Sequence, residues 1–223
     1  MKVILLCAIA VPLFGTLMYA GTVIGTANSE NCIPWSCQDL NPGNYQQIYN
    51  SGAFSGAIDI GSISFYNTYN NGGGSQGVAQ MDYTIYLAVT GQSVPDGSLP
   101  SGDVLFASGH LAGQNFPFGS TLSFSGTPFA YDPSAGNLEL TVVVSSESGP
   151  TSGGYTFLDF EDGGGPFSSW NTYTGSGSGN GLVTGFDTGT GTVPEPATPL
   201  LLGIGIVAIA ARSRRRKASS SGR

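Results

Sequence analysis

The chain has 223 residues, with 14 Asp and Glu against 7 Lys and Arg, one His and a formal net charge of −7 at pH 7. Every Lys and Arg lies at residue 2 or from residue 212 onward, so residues 3–211 hold all the carboxylates and no permanent cation. Nucleic-acid binding depends on basic contacts to phosphate, and this charge distribution excludes it for that region.

The first 27 residues predict a secretory signal peptide. Lys2 precedes an apolar stretch at residues 3–20 that Pro12 interrupts, as in a charged n-region followed by an h-region. Small residues at Gly25 and Ala27 favour cleavage after Ala27, and cleavage after Ala20 is the alternative. We expect export through the Sec machinery, with Cys7 lost in the removed peptide.

Cys32 and Cys37 follow the signal peptide and enclose four residues. In an oxidising periplasm they are expected to pair, and closing so short a loop adds roughly 2 kcal/mol to stability. The spacing is not Cys-x-x-Cys, which disfavours a redox role. A metal site is also disfavoured, since the sequence has no second pair of cysteines and His110 is distant.

Residues 28–188 predict a single all-β domain, an antiparallel two-sheet sandwich of jelly-roll-like type. Short β-branched and aromatic runs alternate there with Gly, Pro, Asn and Ser clusters. The predicted strands are residues 53–65, 81–90, 103–107, 120–124, 137–145, 155–161, 168–173 and 181–186.

Alternation within these strands predicts which side chains enter the core. One face of residues 137–145 carries only apolar side chains, and Glu139 lies on the opposite face, where we expect solvent. The same argument places four residues of the second strand in the core, namely Tyr83, Ile85, Leu87 and Val89. Ile60 and Ile63 are out of phase, which predicts a bulge near Gly61.

The densest acidic cluster is Asp159, Glu161 and Asp162, followed by three glycines. Carboxylates on flexible loops are ligands that calcium prefers, so calcium is the one cofactor that the sequence suggests. The spacing does not match an EF-hand loop, because Gly163 stands at the fifth position and Trp170 at the twelfth. The alternative is a solvated strand end with a glycine turn.

The sequence signals for catalysis are weaker than those for calcium, and we expect that the protein is not an enzyme. Glycoside hydrolysis needs two carboxylates across a bond, for which Glu139, Glu147, Asp159 and Glu161 are the candidates. His110 completes no recognisable triad, since the serines show no Gly-x-Ser-x-Gly elbow suited to a strand-to-helix turn. The aromatic residues Trp170 and Tyr173 suggest instead a surface that stacks against sugar rings.

After a Gly/Thr linker at residues 189–192, the tail has three parts: the segment Val193, Pro194, Glu195 and Pro196, an apolar run at 197–211, and a basic cluster. The cluster contains Arg212, Arg214, Arg215, Arg216 and Lys217. Clustered basic residues remain on the cytoplasmic side of a membrane. Fifteen helical residues span roughly 22 Å, less than the roughly 30 Å hydrocarbon core, which favours a temporary anchor. A permanent single-pass anchor with a stiff proline spacer is the alternative.

These three parts in this order resemble the PEP-CTERM sorting signal of Gram-negative bacteria. The resemblance implies recognition by exosortase, a membrane-embedded cysteine transpeptidase-like enzyme, and removal of the tail at or near Pro194-Glu195-Pro196. It also implies a precursor in the inner membrane with a cytoplasmic C-terminus, and later release to the periplasm, cell surface or extracellular matrix. Residues 127–140, with Asp132-Pro133 and Gly136-Asn137, are similar to a turn found in ectodomains of the same group.

Three functions are consistent with these observations. The first is a structural or adhesive surface protein. The second is a carbohydrate-binding module for exopolysaccharide, a partner suggested by the link between this group and exopolysaccharide producers. A secreted hydrolase is the least favoured.

Trypsin cleaves only after Lys and Arg, so we expect residues 3–211 to remain uncut even in a fully denatured chain. Mass spectrometry after digestion in urea checks this, with a protease that cleaves after aromatic residues as the positive control. Any tryptic peptide that begins or ends inside residues 4–210 contradicts the expectation.

Overall fold

β-branched and aromatic residues form the strands, and glycine is frequent in the turns between them. The computed structural model describes residues 21–36, 43–69, 76–99, 102–148, 154–155, 158–172 and 175–188. This part is nearly all β with several antiparallel sheets, which confirms the predicted all-β class. Residues 1–20 of the predicted signal peptide, the linker and the tail lie outside the described residues, whereas residues 21–27 of that peptide are described and include a short strand.

Two short 3-10 helices, Ser51–Ala53 and Pro133–Ala135, interrupt the strands. The described strands are β1 (Thr22–Ile24), β2 (Ser29–Asn31), β3 (Gly43–Tyr49), β4 (Ile58–Asn67), β5 (Gln76–Val78), β6 (Gln80–Thr90), β7 (Val104–Leu111), β8 (Gln114–Asn115), β9 (Ser120–Tyr131), β10 (Asn137–Ser148), β11 (Gly154–Tyr155), β12 (Leu158–Glu161), β13 (Phe167–Asn171), β14 (Gly175–Ser178), β15 (Gly181–Leu182) and β16 (Thr184–Asp187).

Two larger sheets contain most of these strands. The four-stranded sheet has the order β1-β16-β4-β9, and the six-stranded sheet has the order β14-β13-β3-β10-β6-β7. Two three-stranded sheets, β15-β12-β2 and β11-β5-β8, add to them, so the described fold has more sheets than the predicted two. Within the second of these, β11 and β5 run parallel.

Aromatic side chains join the two larger sheets. Trp35 is fully buried, and its ring lies 4.4 Å from that of Phe124 in β9 and 5.9 Å from that of Tyr83 in β6. Tyr49 in β3 meets Phe186 in β16 at 5.0 Å. Tyr49 and Phe186 belong to different sheets, and Trp35 contacts a ring from each sheet. The inner faces of the two sheets therefore share one core.

The alternation argument succeeds in β10 and partly in β6. Leu138, Leu140, Val142 and Val144 are all completely buried, as predicted. Val89 was expected beside them, but it lies one residue from the end of β6 and is 41% exposed. The strand end therefore extends past the part of the core that would cover it.

The predicted bulge near Gly61 is confirmed. In the pairing of β4 with β9, the register shifts between Ile60 and Ser62. Ile60 and Ile63 are both fully buried, because the extra residue returns them to the same face.

The turn before β10 also forms where the sequence places it. The Asp132 side chain accepts a hydrogen bond from the Ser134 amide at 2.9 Å, and β10 begins at Asn137. Gly136 has a φ of 146°, and a Cβ there would lie 2.7 Å from the carbonyl oxygen of Thr90. Both the conformation and the close approach require glycine at this position.

Candidate functional site

The outer face of the six-stranded sheet, which is turned away from the shared core, is buried at its centre. Alternation along β3, β6 and β10 directs five side chains to this face, and almost none of their surface is exposed. They are Gln46, Ile48, Ala88, Glu139 and Thr141. An antiparallel sheet normally presents such positions to water, so another part of the chain must cover them.

The connection between β6 and β7 provides this cover. We call its residues 91–99 the 91–99 segment. The amide of Gly97 donates to Oε1 of Gln46 at 2.9 Å, and Nε2 of Gln46 donates to the Ser98 carbonyl at 2.7 Å. The same Nε2 lies 3.3 Å from Oγ1 of Thr141. One buried glutamine therefore fastens the segment to the sheet and satisfies its own amide group.

Trp170 in β13 packs beneath the same segment. A Cβ at Gly97 would lie 2.5 Å from Cζ2 of Trp170, and Gly97 has a φ of 86°. Trp170 is half-buried, and its indole packs against Gly97 of the 91–99 segment. Stacking of this indole against sugars stays a prediction. Tyr173, predicted to act with it, lies outside the described residues.

Two carboxyl groups lie on this outer face of the sheet. Glu139 in β10 is only 3% exposed, although the sequence analysis expected it in solvent. β6 pairs with β7 up to Leu87 and Val104, and continuing that register by one residue places Asp103 beside Ala88, the strand neighbour of Glu139. The two carboxyls interact, since the charge of Asp103 raises the pKa of Glu139, and we call them the acid pair.

Burial disfavours the charged form of a carboxyl group, so it raises the pKa of both members of the acid pair. Burial raises the pKa of Glu139 to about 7, with further increases from the charges of Asp103 and Asp96. Burial also raises the pKa of Asp103 to about 6. Asp96 is exposed, and hydrogen bonds from the Ser98 hydroxyl and amide lower its pKa, so it carries its charge beside the pair.

A cleft of about 400 Å³ lies on the same outer face, beside the 91–99 segment. Within the described part of the chain, its lining residues are all uncharged: Ile48, Asn50, Ser93, Val94, Asn137, Gly164, Gly165, Pro166, Phe167, Ser168 and Gly179. Amide, hydroxyl and backbone groups alternate there with apolar surface. Such a mixture suits a neutral polar ligand.

Two of the three carboxylates predicted to bind calcium have separate hydrogen-bond partners. Asp159 in β12 is buried and accepts hydrogen bonds from the amides of Thr68 and Tyr69 at 2.6 and 2.8 Å. Oε2 of Glu161 accepts from the Thr26 amide at 2.8 Å. In the described ranges, no group of three or more His, Cys, Asp or Glu side chains is placed to hold a metal ion. Calcium binding stays a prediction.

Among the described residues, the carboxylate of Asp162 forms no hydrogen bond. Its backbone amide instead donates a hydrogen bond to Oδ1 of Asn28 at 2.7 Å. The backbone carbonyl of Asp162 accepts from Nδ2 of Asn28 at 3.3 Å. Asp162 therefore joins the end of β12 to the residue before β2 through its main chain.

The residues considered for hydrolysis are spread over separate sheets. Glu139 and His110 belong to the six-stranded sheet, whereas Asp159 and Glu161 belong to β12 of a three-stranded sheet. His110 is exposed, and its Nδ1 lies 2.7 Å from Oδ1 of Asp82. This hydrogen bond lowers the pKa of Asp82. The imidazole of His110 therefore bonds the exposed carboxylate of Asp82 and not the acid pair.

Sequence reasoning missed Gln46 and Asp103. Gln46 carried a weak signal, since it interrupts the apolar pattern of a strand-like segment, but Asp103 carried none. Cys32 is disulfide-bonded, and its predicted partner Cys37 lies outside the described residues. No helix among the described residues has the length and apolar character needed to cross a membrane.

Comparison with known proteins identifies the tail. Residues 192–216 match the family described as PEP-CTERM protein-sorting motif, and this range contains Pro194, Glu195, Pro196 and the basic residues through Arg216. No curated protein and no solved structure matches the chain. The chain therefore carries a PEP-CTERM sorting motif, which indicates an exported protein that exosortase processes from a membrane-anchored precursor to the cell surface.

Proposed function

We propose that the processed chain is a structural or adhesive protein of the cell surface or extracellular matrix, built on a two-sheet, jelly-roll-like sandwich. Its precursor enters the envelope through the Sec machinery and spans the inner membrane once, with its C-terminus in the cytoplasm. The sorting motif supports the export, and the ring contacts between the two larger sheets support the sandwich.

The observation that carries the adhesive role is the uncharged cleft. Residues 28–188 contain carboxylates but no Lys or Arg, so the domain repels anionic polymers. The cleft nevertheless presents a neutral surface with hydroxyl and amide groups, among them Asn50, Ser93 and Ser168. Neutral stretches of exopolysaccharide offer matching hydroxyls and apolar ring faces. Adhesion therefore proceeds through contact between this cleft and a neutral polysaccharide.

Filling the cleft tests this role. Val94 lines the cleft and is 39% exposed, so Val94→Trp is expected to place an indole in the space while leaving the fold intact. We expect retention on a neutral exopolysaccharide to fall by at least about tenfold, equivalent to ~1.4 kcal/mol of binding free energy. Affinity electrophoresis or isothermal titration with purified protein measures it.

Leu105→Trp is the matched control, because Leu105 is 50% exposed and lies in β7, outside the lining of the cleft. This variant should bind like the unchanged chain. Equal binding by all three proteins contradicts the assignment to the cleft. Absence of binding by the unchanged chain contradicts adhesion to neutral polysaccharide.

A second candidate is a carbohydrate-binding module that uses Trp170. This residue lies two positions after the cleft residue Ser168 on the same strand face, so a sugar in the cleft would lie near its indole. Trp170→Ala in a glycan array separates the candidates. Loss of all glycan binding supports stacking on Trp170, and unchanged binding leaves the cleft residues as the contact.

A further inference from the structure

The acid pair, Glu139 and Asp103, has no polar partner in the described structure. No described residue forms a hydrogen bond to the Glu139 carboxyl, which is almost completely buried. Both carboxyl oxygens of Asp103 are inaccessible to solvent, and neither has a hydrogen-bond partner among the described residues. A carboxylate that is buried without a partner strongly disfavours its charged form.

The rest of this face supplies no compensating charge. Lys and Arg do not occur in residues 3–211, and the lone histidine, His110, is bonded to Asp82 on the exposed part of β7. The titratable side chains that face the pair from its neighbours are Asp96 in the 91–99 segment and Tyr86 in β6. β3 and β13 contribute only side chains that do not titrate: Gln46, Ile48, Ser168 and Trp170.

Only a proton or a cation from solution can therefore neutralise the pair. In the part of the chain that the structure describes, no three acidic, His or Cys side chains are placed to hold a metal ion. A proton needs no such set of ligands, and two carboxyls at close range readily retain one. The geometry favours the proton.

We propose that the acid pair is a pH-sensitive latch for the 91–99 segment. In the protonated state, neutral carboxyls allow the segment to lie against the six-stranded sheet. When the carboxyls ionise, they repel each other and the nearby Asp96, and both gain hydration if the segment moves away. The Gln46 contacts to Gly97 and Ser98 are then the remaining bonds that hold the segment.

The direction of the pH effect follows from the raised pKa values, about 7 for Glu139 and about 6 for Asp103. In an open state both carboxyls return toward the ordinary range near 4. The latch is therefore fully effective below about pH 4 and weakens as pH rises through 6 to 7. Asp82, Asp96 and Asp132 have lowered pKa values and act in the opposite direction, at more acidic pH.

The latch has a consequence for the cleft, which rests on the proposed adhesive function. Ser93 and Val94 belong to the 91–99 segment and form one wall of the cleft. Release of the segment above neutral pH would remove that wall. Polysaccharide would then be held in mildly acidic surroundings and released in alkaline ones.

Hydrogen exchange of the full chain in detergent, with EDTA present and no polysaccharide, tests the latch. After correction for the intrinsic effect of pH, exchange in the 91–99 segment should be at least about tenfold faster at pH 8 than at pH 5.5. Fluorescence of Trp170, which packs against Gly97, should shift to the red over the same range. Glu139→Gln, which cannot ionise, should remove both changes, and Asp103→Asn should reduce them.

Further variants and conditions separate the proposed latch from histidine titration and from cation binding. Histidine side chains in general titrate near neutral pH, so His110→Gln is the control and should keep the wild-type pH dependence. If Glu139→Gln does not fold, Asp103→Asn takes its place as the test and must weaken the pH dependence of hydrogen exchange. Equal protection at both pH values, or a Glu139→Gln protein with the wild-type response, overturns the latch. Protection that is independent of pH in EDTA but increases with calcium overturns it in favour of a cation site. Because no polysaccharide is present, a failure of the adhesive function leaves this readout unaffected.

Discussion

Replacing Trp35 with alanine is expected to lower the free energy of unfolding by about 3–5 kcal/mol. Trp35 is fully buried and contacts rings from both larger sheets, namely Phe65 and Phe124 on one side and Tyr83 on the other. Its removal leaves a cavity where the sheets meet and separates rings that gain from tilted and stacked contact. Domains of this size are stable by only about 5–15 kcal/mol, so much of the stability should be lost. Urea unfolding followed by circular dichroism measures it.

Two matched variants show whether position or residue type is responsible. Trp35→Phe keeps an aromatic ring at the same place and should cost only about 1–2 kcal/mol. Trp170→Ala removes the other tryptophan from a half-buried position and should destabilise the domain less than Trp35→Ala does. A Trp35→Ala protein with the wild-type urea midpoint would contradict a core shared by the two sheets.

Replacing Pro194, Glu195 and Pro196 together with alanine is expected to abolish surface processing. These residues lie within the matched sorting motif, and exosortase is the processing partner that the motif implies. A precursor that is not recognised keeps its apolar run and basic cluster, so it should accumulate in the membrane fraction. Immunoblots of membrane and surface fractions, with an antibody against residues 28–188, measure this change.

Gly189→Ala is the control for this experiment, because Gly189 precedes the matched residues 192–216. The control should be processed like the unchanged chain. Normal amounts of processed protein from the triple alanine variant would mean that the Pro-Glu-Pro segment is not what the processing enzyme reads.

Much of the strand structure follows from sequence patterns that repeat within a single segment. The apolar alternation in β10 is strong because the polar residues Glu139 and Thr141 separate its first apolar ones, and all four predicted core residues are buried. The phase change around Gly61 and the turn at Gly136 are equally local, since each depends on a residue and its immediate neighbours. Such features can be predicted because no distant residue has to be known.

The central strand β3 was not predicted, because its sequence contains Gln46 and Gln47 where an apolar pattern would be expected. Both amides are buried and satisfied by residues far along the chain. Gln47 exchanges hydrogen bonds with the Leu182 backbone at 2.8 and 2.9 Å, and Gln46 bonds the 91–99 segment. Burial of a glutamine depends on such distant partners, and sequence periodicity does not reveal them.

The candidate site shows the same limit. The sequence correctly places Glu139 on the outer side of its strand, but the 91–99 segment buries it there. Asp103 lies 36 positions away in sequence and becomes its neighbour only through the pairing of β7 with β6 and of β6 with β10. The acid pair therefore results from sheet order, which the sequence patterns do not determine.

The mass of the chain recovered from the cell surface tests the account most directly. In cells that contain exosortase, we predict a form that ends at or near Pro194-Glu195-Pro196 and lacks both the apolar run at 197–211 and the basic cluster. In the same cells without exosortase, we predict a membrane-bound form with the whole tail. Recovery of a surface form that still carries residues 197–217, or of an identical processed form without exosortase, would contradict the account.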